Sequence, residues 1–236
     1  MTRLGGLALG MLLLGSVAHA QDRAGAPTSQ VKLDKHKLSY AIGYQIGSQF
    51  AGGQPDVDLA TVQKAIADAY ARRHPAVPMQ DMHAQLQRLE QQLHANAVAE
   101  FKHIAEANAR KSAEYMAKNR KRPGVVQLPS GVQYAVIASG EGTERPKVTS
   151  TVTVNYRGML VDGTEFDSSW AHGAPVTFQV DKVIPGWQDV IPRMHVGDRW
   201  KVVIPPQLAY GERGQLPRIG PNEALVFEIE LLDIAK

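Results

Sequence analysis

The run from Met79 to Arg122 contains neither proline nor glycine, in a chain that carries 14 of the first and 21 of the second. Proline interrupts a helix through its missing N–H and ring clash, glycine through backbone entropy. A run of this length free of both reads as one helix, on the order of 60 Å long at ~1.5 Å per residue. It divides the 236-residue chain into three parts. Ahead of it lies a shorter helical region, and after Pro123-Gly124 the apolar period switches from helical to alternating. Within the run, Met82, Leu86, Leu89 and Leu93 follow an alternating four-three spacing, continued less regularly by Val98, Phe101 and Ile104. Beyond Ile104 the large apolar residues thin out to Tyr115 and Met116. The first half of the helix is therefore expected to be packed. The second half is expected to stand in solvent as a spacer, held by alanines and alternating charges.

The first twenty residues read as a secretory leader. Arg3 supplies the positive start, Leu7 to Leu14 a short apolar core, and Ala18-His19-Ala20 a small-x-small cleavage site. The apolar stretch is too short for a permanent bilayer-spanning helix, and no cysteine follows the cleavage site to carry a lipid. Residues 21–32 are polar with Gly and Pro, a composition expected to be flexible. Helical periodicity begins after Asp34, a plausible N-cap, with Leu38, Ala41, Ile42, Ile46 and Phe50 on one stripe. Gly43 and Gly47 cost about 1 kcal/mol each relative to alanine inside a helix, which favours close approach to another helix over simple tolerance. Gly52-Gly53 and Pro55 break this helix. Asp58 caps the next, which presents Leu59, Val62, Ile66 and Ala69 or Tyr70 and is expected to end at His74-Pro75. Two helices of this size bury little apolar surface alone, so they require a third element or a second chain.

Charge narrows the function classes. The net charge is +3, and loss of the leader lowers it by one. The only dense basic run is Lys118-Asn119-Arg120-Lys121-Arg122, where cations complement the negative end of a helix stopping at Pro123-Gly124. Nucleic-acid binding requires a clustered basic face, and none is implied. His83, His94 and His103 could suggest a metal. However, the first two lie three turns apart and the third points the opposite way, so a straight helix cannot converge them on one ion. Solvated histidines are the expectation, and no metal or cofactor is called for. Cysteine is absent, so stability must come from packing and association.

From Pro123 onward the chain alternates. Val132, Tyr134 and Val136 form one strand, Val152, Val154 and Tyr156 another, Val176, Phe178 and Val180 a third, and Trp200, Val202 and Ile204 a fourth. Leu225, Phe227, Ile229 and Leu231 face one way while Glu228 and Glu230 face the other. Asp162-Gly163 signals a hairpin, and one short helix begins near Pro185, limited by Pro192. The fold class is α+β. It consists of an all-α N-terminal region (33–78), a long connecting helix (79–122) and a C-terminal antiparallel sheet wrapped around a short helix (123–236).

The last part holds aromatic and aliphatic groups, a single carboxylate among them and a few hydroxyls, with no Ser/His nucleophile pair, cysteine or phosphate loop. Four blocks occur in one order: VNYRGMLVDGTEFDSS, VIPGW, VVIPPQLAYGERG and IGPNEALVFEIELLDI. Together they resemble the FKBP-type peptidyl-prolyl cis–trans isomerases, over roughly Pro123 to the C-terminus. LSYAIGYQIGSQF and KNRKRPGVVQLPSGVQY resemble the Mip-like (macrophage infectivity potentiator) branch, whose helical region interlocks two subunits. The resemblance implies a homodimer through residues 33–95 and an FKBP fold. It also implies a pocket with Trp187 as its floor and Tyr156, Phe166, Val183, Ile184 and Phe227 as its walls. Val176 would form the rim and Ile219 would come from a loop hanging over it. Tyr210 would aim its hydroxyl at a substrate carbonyl, Ile184 would offer its N–H, and Asp167 would lie beside the isomerising bond. On spacing alone, Tyr156, Phe166 and Phe227 suit a sheet core equally well, Trp187 could be plain core, and Asp167 could be a turn or cap residue. It is the four-block match that favours the pocket.

Such a pocket suits a reaction without proton transfer. Rotation about X–Pro faces ~18–20 kcal/mol because resonance keeps the amide planar, and unaided exchange takes tens to hundreds of seconds. The twisted amide is less polar than the planar one, so a dry apolar cavity favours it. The implied partners are proline-containing unfolded or partly folded proteins and peptides, with rapamycin- and tacrolimus-type macrolides as inhibitors. The implied location is the periplasm, free, outer-membrane associated or secreted. The alternative is a dimeric holdase-type chaperone in which catalysis is incidental. The sequence departs from the family in three places. Val176 stands where an aromatic is frequent, His172 where a basic partner often supports the pocket aspartate, and Gln215 where some members carry an aromatic or histidine.

Overall fold

The computed structural model of the protein describes residues 32–51 and 55–235. The expected leader, most of the polar segment after it and the Gly52-Gly53 break fall outside the described residues. The chain forms two compact units that divide between Ala76 and Val77.

The first unit holds helices α1 (Lys35–Ser48) and α2 (Leu59–Tyr70). The Asp34 carboxylate accepts from the N–H groups of His36 and Lys37 at 2.9 and 3.0 Å, and Asp58 accepts from Ala60 and Thr61. These bonds satisfy donors that have no partner inside the helix. α2 stops before His74-Pro75, because Arg72 takes a left-handed φ of 56° and ends the turn. Neither helix contains a buried residue. A Cβ added at Gly43 or Gly47 would meet nothing within 4 Å, so the close approach expected of these glycines is not made among the described residues.

The second unit opens with α3 (Met79–Asn119), unbroken as its composition requires. Its second half reverses the sequence-based expectation, and its first half is left uncovered among the described residues. The apolar first half is exposed: Leu86 by 63%, Leu93 by 44%. The polar second half is docked. Asn108, Ser112 and Asn119 are its buried residues, and they sit at helical spacings of four and seven on one face. Asn119 Nδ2 donates to Gln133 Oε1 at 2.9 Å, and Gln133 Nε2 donates to the Met116 carbonyl at 3.1 Å. Hydrogen bonds hold this half of α3, and an apolar period does not register them.

Beyond α3 the chain forms β1 (Val126–Gln127), β2 (Gln133–Ala138), β3 (Thr151–Leu160), β4 (Glu165–Ser168), β5 (Val176–Gln179), β6 (Arg199–Ile204) and β7 (Leu225–Ile234). The order is β1-β2-β6-β7-β3-β4, with every pairing antiparallel. β5 pairs with the start of β3, at Thr151 to Val154, and β4 with its end, at Arg157 to Met159. One long strand thus carries two short ones in succession along the same edge. At Asp162-Gly163 the hairpin turns with Gly163 at φ 93°, and the Asp162 carboxylate accepts from Thr164 N–H at 2.9 Å. Two short helices complete the unit, α4 (Ser169–His172) and α5 (Pro185–Val190).

The sheet curls around α5. Trp187, Val190, Ile191 and Met194 pack against Val152, Val154, Val202, Ile229 and Leu231 in one core. Each aliphatic side chain so buried contributes about 1.5–3 kcal/mol. The helix approaches β6 closely enough that a Cβ at Gly186 would lie 2.4 Å from Ile204 Cγ2, so only glycine fits there. Asp198, buried at the start of β6, accepts from the backbone N–H groups of Gly140 and His195 at 2.8 and 2.9 Å.

Candidate active site

An open cavity of about 520 Å³ lies on the concave side of the sheet. Tyr156 reaches it from β3, Phe166 and Asp167 from β4, Val176, Thr177 and Phe178 from β5, and Phe227 from β7. Lys182, Val183 and Ile184 line it from the segment leading into α5, Trp187 from α5 itself, and Tyr210 from the chain after β6. Trp187 is the hub. Tyr156 meets its indole edge-on at 5.3 Å and 81°, Phe227 at 5.2 Å and 82°, and Phe178 at a tilt of 47° and 5.4 Å. Phe166 stands edge-on to Phe227 at 5.8 Å. Aromatic pairs prefer such edge contacts over face-to-face stacking. Here they leave the indole at the bottom of a rigid, largely apolar bowl.

This geometry depends on Gly158. It pairs with Asp167 on one side and Phe227 on the other. A Cβ there would lie 2.6 Å from Phe166 Cζ and 2.9 Å from Phe227 Cε1. The two rings occupy the space that any other residue would fill.

Among the described residues, Asp167 is the only carboxylate lining the bowl. The Tyr156 hydroxyl donates to Asp167 Oδ2. Asp167 Oδ1 receives its own neighbour's Ser168 N–H at 3.0 Å and lies 2.9 Å from His172 Nε2 of α4. Burial alone would raise the Asp167 carboxyl, but the hydrogen bonds from Tyr156, His172 and Ser168 outweigh it. The carboxyl is held below its ordinary 3.8. Burial pushes the Tyr156 phenol up, reinforced by the hydrogen bond and charge of Asp167. The Tyr210 phenol is raised by burial, then by Asp167. At neutral pH the bowl therefore holds one carboxylate and two protonated phenols. Nothing in it is activated as a nucleophile.

The structure brings together nine of the ten residues singled out from the sequence. The exception is Ile219, expected over the bowl. It is 2% exposed, belongs to the core and exchanges backbone hydrogen bonds with Gln215 at 2.8 and 3.0 Å. Its side chain packs in the same core cluster as Trp187 and Phe227 and is not among the residues that line the cavity. His172, read only as a replacement for a basic partner, does contact Asp167. Thr177, Phe178 and Lys182 were not anticipated in the lining. The alternation of Val176 with Phe178, which already placed both on one face of β5, was the available signal for Phe178.

A family model described as FKBP-type peptidyl-prolyl cis-trans isomerase matches residues 142–232, and one described as the domain amino terminal to it matches 35–136. The chain is 39% identical to the peptidyl-prolyl cis-trans isomerase Mip of Coxiella burnetii over 95% of its own length and 94% of that protein's. The chain belongs to the FKBP-type peptidyl-prolyl cis–trans isomerases. It is also 39% identical to the outer membrane protein MIP of Legionella longbeachae, over 90% of this chain and 91% of that one. The crystal structure of FkpA from Escherichia coli superposes with a TM-score of 0.70 at 37% identity, covering 86% of this chain and 97% of that one. The fold is thus the FKBP fold with an N-terminal helical region and a long helix, and the activity is X–Pro isomerisation. In that setting the absence of an activated nucleophile in the bowl is expected, since no bond is made or broken.

Proposed function

We propose that the prolyl ring seats on Trp187 within the walls formed by Tyr156, Phe166, Val183, Ile184 and Phe227, with Val176 at the rim. The bound amide then twists in surroundings that solvate its planar, polar form less well than water does. Tyr210, protonated, donates to a substrate carbonyl, and Ile184 offers its backbone N–H to the chain beside it. Asp167 interacts with the carbonyl of the isomerising bond as its polarity falls. Lowering the barrier by about 5 kcal/mol corresponds to roughly 10³–10⁴ in rate at 1.36 kcal/mol per decade. The observation that carries this reading is a single indole approached edge-on by two aromatic rings at 5.2–5.3 Å, at the base of an open cavity.

The same bowl would accept the pipecolyl-type ring of rapamycin or tacrolimus. The exposed apolar residues of α1 to α3 support a homodimer through residues 33–95. The leader-like N-terminus and the outer-membrane name of the Legionella relative support export, to the periplasm or the outer envelope, where the clients would be exported proteins in the course of folding. The test is exchange of an Ala-Leu-Pro-Phe peptide, with and without rapamycin, for the native chain and for Asp167→Ala and Trp187→Leu. Loss of rate in both variants and inhibition by the macrolide are expected, and a full rate in both would refute the assignment of residues. Suppression of client aggregation that survives both substitutions would favour the holdase reading for the dimer.

A further inference from the structure

The docked half of α3 bears on one particular loop. Residues 211–224 connect Tyr210 to β7, so both ends of the loop are cavity-lining: Tyr210 immediately before it and Phe227 just after. Ser112 Oγ donates to the Asn222 carbonyl at 3.0 Å and accepts from Ala224 N–H at 2.7 Å. Asn108 Nδ2 donates to the Pro221 carbonyl at 3.0 Å. Asn222 N–H in turn donates to the Gly211 carbonyl at 2.9 Å. Two hydrogen bonds and one covalent step therefore lead from Ser112 to Tyr210, while Ala224 is three residues from Phe227. The fit allows little slack: a Cβ at Gly220 would lie 2.7 Å from Asn108 Nδ2. Ser112 is 2% exposed and Asn108 7%. Burying polar side chains is costly unless each is hydrogen-bonded, and here every bond of this cluster ends on the loop.

We propose that Asn108 and Ser112 are positioning residues for catalysis, and that the turn of α3 that carries them (108–112) belongs to the catalytic unit as the splint that fixes Tyr210 and Phe227 in the cavity wall. A displacement of about 1 Å at a reacting site can cost up to 10²-fold in rate. The loop remains anchored by β7 at its C-terminal end and by the Asn222–Gly211 hydrogen bond, so a smaller loss, about tenfold in kcat/KM, is expected when the splint is cut. The inference rests on the cavity being the site of isomerisation, which the Asp167→Ala and Trp187→Leu variants examine separately.

The test is made in the full chain. Ser112→Ala removes the hydroxyl, Ser112→Thr retains it, and Asn108→Asp exchanges the amide donor for a carboxylate facing the Pro221 carbonyl. Asn119→Ala is the control. It breaks an equally buried bond of the same helix, to Gln133 on β2, away from the loop. Peptide exchange is measured well below each melting transition, alongside amide hydrogen exchange at Asn222 and Ala224. Ser112→Ala and Asn108→Asp should lower kcat/KM about tenfold and lose protection at those two amides, with protection in β3 and β7 retained. Ser112→Thr should stay within about twofold of the native rate, and Asn119→Ala should lower the melting temperature without changing kcat/KM. Should Ser112→Ala not fold, Asn108→Asp decides by the same readings. The proposal is overturned if the loop amides lose protection while kcat/KM holds, or if Asn119→Ala lowers kcat/KM as much as the loop-facing variants.

Discussion

Gly158→Ala is the smallest change that probes whether the bowl must be open to work. The added methyl would sit 2.6 and 2.7 Å from two carbons of the Phe166 ring and 2.9 Å from the Phe227 ring. Carbon atoms are comfortable at about 3.5–4.0 Å, so the rings must retreat by roughly 1 Å. Phe227 cannot move away freely, because the Trp187 indole stands edge-on to it at 5.2 Å. Phe166 can move, and its way out is into the cavity or against β4. Overpacking of this kind costs about 1–3 kcal/mol. For a unit of this size that lowers the melting temperature by roughly 2–12 °C. The pairing with β4 shifts register between Gly158 and Met159, but Gly158 does not take a left-handed φ, so alanine fits the backbone and the fold should survive. A wall shifted by about 1 Å predicts a fall in kcat/KM of roughly 10- to 100-fold. Peptide exchange measured at 10–15 °C, with thermal unfolding followed by circular dichroism, separates the two effects. A variant that loses stability as expected yet isomerises within twofold of the native rate would refute the reasoning, since the rings would then be core and not cavity wall.

Ionisation gives a second expectation. The Asp167 carboxyl faces Tyr156 from β3, His172 from α4 and Tyr210 across the bowl, and it should titrate below 3.8 when followed by carboxyl-carbon NMR. Its contribution to stability is therefore present above the ordinary carboxylate range and is lost as pH falls through the lower folded value. Tyr156 runs the other way. Its contribution is complete below 10.0 and is lost only as pH rises through its higher folded value. His172→Ala should raise the Asp167 titration, and no change would mean that the 2.9 Å contact carries no interaction. Asp198→Ala leaves the partly buried N–H groups of Gly140 and His195 without their acceptor, and urea unfolding should show a loss of roughly 2–4 kcal/mol. A loss below about 1 kcal/mol would mean that water replaces the carboxylate. Leu86→Glu together with Leu93→Glu should give a monomer in sedimentation, with short-peptide exchange within about twofold of the native rate. A persistent dimer would move the interface away from the apolar face of α3.

Much of this protein is determined by sequence that acts locally. The caps at Asp34 and Asp58, the unbroken α3, the Asp162-Gly163 turn and the short α5 ending before Pro192 follow from residue chemistry within a few positions. Alternation put Leu225, Phe227, Ile229 and Leu231 on one face of β7, and all four are buried. Eight of the nine cavity residues lie in the four separated blocks, with Val176 between them, and it was the match of those blocks to a family that gathered them; antiparallel pairing places Tyr156, Asp167 and Phe227 on neighbouring strands. Tertiary structure alone decided which half of α3 would be covered. Apolar periodicity is a signal of hydrophobic burial, and the docked half is held by Asn108, Ser112 and Asn119, whose partners lie far along the chain or on backbone atoms that every residue possesses. The same holds for Ile219, which packs in the core and pairs with Gln215 through the backbone. Hydrogen bonds between distant segments have no period, so only the folded arrangement can reveal them.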